Sequence, residues 1–441
     1  MVMDWRSPSS ISRLLYSDSL VLILVFFSAS SLIMRWQRFL VFCLLGLCLA
    51  FGVACSRDAK ISSSDSAALP SSEVVLSEGE PDGVEASASE PLPEATQAII
   101  ASVEPNGLYN PPRGDVRLMA ISDLNGPYGS IDYDPEIDKA LQLIPFWQPD
   151  MVVCSGDMVA GQNLDLTEER MKAMWAGFDE HVATPLRQMG IPYGFTVGNH
   201  DASGARSANG SFVFQKEREV TLDYWQAPEH DPGVEFIDRA DFPFYYTFKF
   251  DDIFFLAWDG STHLIPEEKL AWVEQSLASE AAQNAKMRVL LGHLPLYSVA
   301  VGRNQPGEVM NNPERLQALL ERYNVHTYMS GHQHAYYPAH KGNLQLLHAG
   351  LLGSGPRPLI DSSLPPRKAL TLIDVNFDSP ELTTYTTYDA QTLELVQNEQ
   401  LPRLIVGHNG VVLRRDVEWE ELNPAEKSLC EQRLGREKCQ A

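Results

Sequence analysis

From about Pro111 onward, short apolar runs alternate with longer segments of helical spacing. The runs VRLMAIS (116–122), DMVVCS (150–155), PYGFTV (192–197), YYTFKF (245–250), DIFFLAW (252–258), MRVLLG (287–292) and VHTYMS (325–330) predict buried strands. Between them, residues 135–147, 165–189, 266–283 and 312–323 place apolar side chains on one helical face. Pro266 and Pro313 stand where a first helical turn tolerates proline, and glutamates follow each. Period-2 patterning in ALTLIDVNF (369–377) and LTTYTTYD (382–389) predicts two closing strands. Strands alternating with helices make this an α/β chain, with helices packed on a sheet. Residues 111–400 are expected to form this domain. Residues 401–441 read as a C-terminal tail with a short helix opened by Asn423-Pro424.

The pattern is different before Pro111. Residues 56–110 are rich in Ser, Ala, Glu and Pro and read as a disordered acidic linker. Residues 1–55 hold two apolar runs, 20–27 and 39–53, and Arg35 and Arg38 precede the second. A basic start, an apolar middle and a small-residue end predict an export signal or anchor. Gly52-Val53-Ala54-Cys55 resembles a bacterial lipoprotein box, although Gly52 stands where leucine is usual. Met34 offers a second start ahead of this signal. The expected location is therefore periplasmic or cell-surface, with membrane attachment through the N-terminus.

Composition narrows the function. The chain has 441 residues, 44% of them hydrophobic, and a net charge of −24. That acidity argues against a nucleic-acid partner held by its backbone charge. A local metal site can still override it for a phosphate-bearing substrate. Six cysteines include no CxxC pair, so a thiolate zinc site is not expected. Cys154 lies in an apolar run and reads as an inert buried thiol. Cys430 and Cys439 are close enough in sequence to pair in an oxidising compartment.

The chemistry sits where the runs end. They run into Asp123, Gly156-Asp157, Gly198-Asn199-His200-Asp201, Gly292-His293 and Gly331-His332-Gln333-His334. Ligands of open α/β sheets bind outside the carboxyl ends of strands. Five strand ends thus deliver carboxylate, amide and imidazole groups, a donor set for first-row divalent cations, to one rim. Asp259 also follows an apolar run, but reads as an ordinary loop residue. Tyr336, Tyr337, the Gly-rich stretch 348–358 and Arg303 are further candidates for the pocket or for anion contact.

This series of motifs resembles the calcineurin-like metallophosphoesterase superfamily over residues 113–390. The resemblance implies a four-layer α/β/β/α sandwich of two mixed sheets with a dinuclear metal site at the strand ends. It implies two divalent cations (Mn, Fe, Zn or Mg) bridged by Asp157. One would take Asp123, Asp157 and His334, and the other Asp157, Asn199, His293 and His332. His200 matches a histidine near the scissile phosphate, placed to stabilise charge or to protonate the leaving group. Asp201 matches the carboxylate that orients that histidine. Asn125 departs from the pattern, because the family has a metal-ligating histidine there. Either the amide ligates, or it stays back and water replaces it, or the first cation binds weakly. The implied activity is hydrolysis of a small-molecule or lipid phosphomonoester or phosphodiester by a metal-bridging hydroxide. The alternative is a lipid-anchored binding or scaffold protein on a degenerate phosphoesterase fold.

Overall fold

β-Branched and aromatic residues dominate the apolar runs, and each run becomes a strand. The computed structural model describes residues 91–103 and 107–439, which belong to the unit Ser87–Ala441. In chain order the strands are β1 (Val116–Ile121), β2 (Met151–Cys154), β3 (Tyr193–Phe195), β4 (Glu235–Asp241), β5 (Tyr245–Phe250), β6 (Ile253–Ala257) and β7 (Met287–Leu291). They continue with β8 (Thr327–Ser330), β9 (Tyr336–Lys341), β10 (Leu344–Ala349), β11 (Ala369–Val375), β12 (Thr383–Asp389), β13 (Leu404–Val406) and β14 (Val411–Arg414).

Two mixed sheets result. One has the order β12-β11-β1-β2-β3, and the other β13-β14-β9-β10-β8-β7-β6-β5-β4. β1, β2 and β3 run parallel, with Ile121 beside Cys154 and Cys154 beside Phe195. β6, β7, β8 and β10 run parallel in the second sheet, with Leu291 beside Met329 and Ser330 beside His348. The parallel strands of each sheet therefore end level with one another, which is what brings their following residues to one rim. The sheets pack face to face. The Tyr246 hydroxyl of β5 donates to the Phe195 carbonyl of β3 (2.5 Å), and a Cβ on Gly194 would strike the Phe248 ring at 2.6 Å. At the other side of the first sheet, Arg117 and Asp374 form a buried ion pair (2.8 Å), register partners on β1 and β11. Asn110 Oδ1 and the Trp147 and Pro111 carbonyls take the remaining guanidinium protons, so neither charge is buried unpaired.

Three expectations change. The linker expected over 56–110 gives way to ordered chain before its predicted end. Glu94–Ser102 is a helix whose Thr96 hydroxyl donates to the Gln142 carbonyl (2.6 Å), and Ile99 and Ile100 pack on the core. The apolar spacing of AII within a polar composition is enough to dock one helical turn. The tail expected from 401 joins the sheet instead. β13 and β14 pair with each other and β14 pairs with β9, extending the second sheet. The helix expected after it is Pro424–Leu434, capped by Asn423 through the N–H groups of Ala425 and Glu426. The predicted helix over 165–189 is interrupted by a π-helical turn, Asp179–Ala183, before Thr184–Met189. Pro185 cannot donate into a regular ladder, and the wider turn accommodates it.

Cys430 and Cys439 form a disulfide, packed with Val406 and Val411. Cys154 is a buried free thiol. Among the described residues, no helix is long and apolar enough to cross a membrane. The export signal, the lipoprotein-like box and most of the linker lie outside the described residues.

Candidate metal centre

The level strand ends bring the predicted side chains together, and the backbone bends to aim them. Asp123, Asp157, His332 and His334 all adopt left-handed backbone, with φ of 49°, 56°, 61° and 52°. Non-glycine residues rarely do so, and such strain gathers at functional sites. Gly156, at φ 94°, leads into Asp157. A Cβ there would lie 2.7 Å from the Gly198 nitrogen and 2.9 Å from His293 Nδ1. The close approach of three strand ends needs this glycine.

Asp123, Asp157 and His293 present ligand atoms within 4.8 Å of one another, all buried. Around them the donors form two groups that share Asp157. In the first, His334 Nε2 stands 3.3 Å from Asp123 Oδ1, while its Nδ1 meets the Gly355 carbonyl. Asp123 also accepts from the Ser122 hydroxyl and from the His332 backbone N–H. In the second, Asn199 Oδ1 lies 2.9 Å from His293 Nε2 and 2.8 Å from His332 Nδ1, and His293 Nε2 lies 3.3 Å from Asp157 Oδ2.

Two buried atoms in this cluster have no hydrogen-bond partner: Asp157 Oδ2 and His334 Nε2. Buried polar atoms are normally satisfied. An unbonded carboxylate oxygen on Asp157 and an unbonded imidazole nitrogen on His334, set among ligand-type side chains, are what a cation site presents. The residues therefore fit divalent cations.

The electrostatics follow from these contacts. Burial pushes the Asp157 carboxyl up, but the charges of His293 and His200 outweigh it and hold it well below the usual range. Burial pushes His293 down, and the Asp157 charge overcomes this to raise it to about 9. His332 has no such counter-charge of equal weight, and burial lowers it to about 4.

Each donor is steered from behind. His293 Nδ1 meets the Ser155 carbonyl (2.7 Å). Asn199 Nδ2 donates to Gln162 Oε1 (2.8 Å), which turns Oδ1 toward the histidines. His332 Nε2 meets Glu308 Oε2 (2.8 Å), which directs Nδ1 into the site. The His332 hydrogen bond and then Arg303 hold Glu308 down to about 2. Gln162 and Glu308 carry no sequence signal, since neither follows a strand end. Tyr128 likewise carries no sequence signal, yet its ring lies 5.0 Å from that of His200.

His200 sits beside the shared carboxylate. Its backbone N–H donates to Asp157 Oδ1 (2.8 Å), and its Nε2 is 4.0 Å from Asp157 Oδ2. Its Nδ1 meets the Gly161 carbonyl (3.0 Å), which fixes the ring. Asp201 does not orient that ring. Both its oxygens are taken by four backbone N–H groups, those of Asp157, Met158, Val159 and Gly198. It clamps the Asp157 loop to the Asn199 turn, a positioning role in place of the one expected. Burial, then the Asp157 charge, raise its carboxyl to about 7 against the pull of these donors.

Asn125 is held by its backbone: its N–H donates to the Asp157 carbonyl, and its own carbonyl accepts from Ser354. Among the described residues no hydrogen bond engages its amide. Asp259, read as an ordinary loop residue, accepts from Arg218 (2.7 Å) and from Ser261. Tyr336 and Tyr337 lie in β9, where Tyr337 donates to the Pro402 carbonyl. The donors open onto a cleft of about 910 Å³ whose walls include Tyr128, Gln162, Arg206, Leu264, Arg303 and Glu308.

The family model for calcineurin-like phosphoesterases matches residues 116–336, half of the chain. No curated relative matches. Solved structures similar to it include purple acid phosphatase PPD1 from yellow lupin seeds, at 16% identity and a TM-score of 0.46 over 66% of this chain and 54% of that one. The chain thus spans about half the length of the lupin protein. GAP50, the anchor in the inner membrane complex of Plasmodium, is 14% identical with a TM-score of 0.41, over 64% and 87% of the two chains. Vacuolar protein sorting 29 from Cryptosporidium parvum is 14% identical with a TM-score of 0.31, over 65% and 96%.

Proposed function

The chain belongs to the calcineurin-like phosphoesterase family, a hydrolase acting on ester bonds, and on that premise we propose that it is an exported phosphoesterase using two divalent cations. The substrate of this reading is a small phosphomonoester or phosphodiester. One observation carries it: Asp157 Oδ2 is buried without a hydrogen-bond partner, and ligand atoms of Asp123 and His293, one from each donor group, lie within 4.8 Å of the Asp157 carboxylate. The first group is Asp123, Asp157 and His334, with Asn125 as a further candidate ligand. The second is Asp157, Asn199, His293 and His332.

When bound, such cations supply Lewis acidity that activates water and neutralises charge on the phosphate oxygens. The chain does the rest. Gln162 and Glu308 hold Asn199 and His332 in the one orientation that points donor atoms inward. His200, fixed through Nδ1, keeps its Nε2 on the site side. From there it meets negative charge that grows on the phosphoryl oxygens, or passes a proton to the leaving alkoxide. Tyr128 walls the cleft next to it.

Export finds support in the Cys430–Cys439 disulfide, since such bonds persist outside reducing compartments. The apolar run before Cys55 supplies an anchor in the same reading. The test is turnover of a chromogenic phosphomonoester and its diester by the full chain with Mn²⁺, Fe²⁺, Zn²⁺ or Mg²⁺. Wild type turns over at least one ester, and Asp157→Asn loses about 10²-fold or more. No turnover with any cation overturns the reading in favour of the binding protein.

A further inference from the structure

Two arginines beside the metal centre are not used by the chemistry described above. Arg303 lines the cleft, and its Nη1 lies 3.1 Å from His332 Nε2 and 2.5 Å from Glu308 Oε2. Its Nε is buried and has no partner. Arg357 lies alongside. A Cβ on Gly302 would meet its Nη1 at 2.8 Å, and its backbone N–H donates to the His334 carbonyl (2.9 Å). Among the described residues the Arg357 guanidinium has no hydrogen bond or ion pair, and its Nε is also buried without a partner. The charge of Arg303 helps to lower its proton affinity, after burial, so the two cations feel each other.

Both side chains are half-buried, and each has a buried Nε that no protein group satisfies. Buried polar atoms are normally hydrogen-bonded. Glu308 faces the pair, but it is shared between Arg303 and the His332 ring. One guanidinium is left over. Two guanidinium groups side by side form a bidentate receptor for a carboxylate or a phosphate.

Its position separates it from the reacting phosphate. His332 turns Nδ1 toward Asn199 and the other donors, and Nε2 toward Arg303 and Glu308. Arg303 therefore stands one imidazole width beyond the donor atoms, with Arg357 packed against the neighbouring Gly302. We infer that Arg303 and Arg357 form a second anion subsite, which takes a carboxylate or phosphate on the leaving part of a phosphoester substrate. This rests on the phosphoester reading, and it narrows the substrate to esters that carry two anionic groups.

The test needs no turnover, so it stands apart from the hydrolysis assay. The full chain with Mn²⁺ is titrated calorimetrically with propylphosphonate, 3-phosphonopropionate and propane-1,3-bisphosphonate. The first has one anionic group, and the others add a carboxylate or a phosphonate at matched length. At least one bis-anion binds about tenfold or more tightly than propylphosphonate. A larger gain for 3-phosphonopropionate assigns the subsite to carboxylate, and a larger gain for the bisphosphonate assigns it to phosphate. Arg357→Gln reduces the gain to about twofold or less, and Arg357→Lys, which keeps the charge but loses the fork, falls between. Equal affinities in wild type, or an undiminished gain in Arg357→Gln, overturn the inference.

Discussion

Asn125 is the residue on which the account departs from its family, and the residue scale is where that departure is measurable. Its amide makes no hydrogen bond among the described residues, while its backbone is pinned to Asp157 and Ser354. A replacement side chain starts from a fixed Cα. Asn125→His should therefore tighten the first cation and change the preferred metal, because imidazole is the better first-row ligand. Cation affinity by calorimetry checks this, and an unchanged affinity would place the side chain away from the metal. Asp201 makes the opposite point. Asp201→Asn turns one acceptor into a donor facing backbone N–H groups, and should cost about 1–3 kcal/mol of stability. Thermal unfolding with a fixed cation concentration reads it. His348 offers a pH signature away from the donors. It is 2% exposed, neither ring nitrogen has a partner, and burial lowers it to about 3. Its unfolded value is about 6.5. The unfolded chain thus binds the proton first as pH falls, and stability present above pH 6.5 is lost below it. At pH 5 that loss is about 2 kcal/mol. Melting curves from pH 7 to 5 should fall more steeply for wild type than for His348→Phe, and parallel curves would contradict the assignment.

At the scale of elements, strand ends explain the site better than motifs do. Parallel register sets Asp123, Asp157 and Asn199 on one edge, and a second sheet sets His293, His332 and His334 opposite. The sequence shows these because each polar residue interrupts an apolar run. It does not show β4, β9, β10, β13 or β14, or the helix Gln215–Gln226. EFIDRAD in β4 is too polar to read as a strand, and Pro338 interrupts the pattern of β9. Glu308 and Arg357 are equally unreadable as a group, since only the fold brings loops 24 and 23 residues away in sequence to His332 and His334. The C-terminal hairpin gains a role from its position. Asn409 Nδ2 donates to the Leu296 carbonyl, and the His408 N–H meets Asn304 next to Arg303. β13 and β14 therefore brace the loop that carries Arg303. Removing residues 401–441 should lower the unfolding midpoint and raise hydrogen exchange in 296–308. Exchange unchanged in that loop would show that the hairpin does not brace it.

At the scale of the molecule, an acidic chain of net charge −24 carries a site built to hold cations. The two facts agree: buried carboxylates and imidazoles set the local chemistry, while the surface charge bears on solubility and partners. On the cleft wall Arg206 and Arg303 offset Glu267 and Glu308. An anchor, a tether and a disulfide-closed domain describe a protein working outside the cytoplasm in our reading, and cell fractionation with a Cys55→Ser variant tests it. Release of the variant from the membrane fraction is the expected result. Everything else hangs on the pairing of donor groups around Asp157. Anomalous diffraction from crystals of the Mn²⁺-loaded protein measures that directly. Two peaks about 3.5–4 Å apart, one on each side of Asp157 Oδ2, are predicted. A single peak, or none at this carboxylate, would contradict the account.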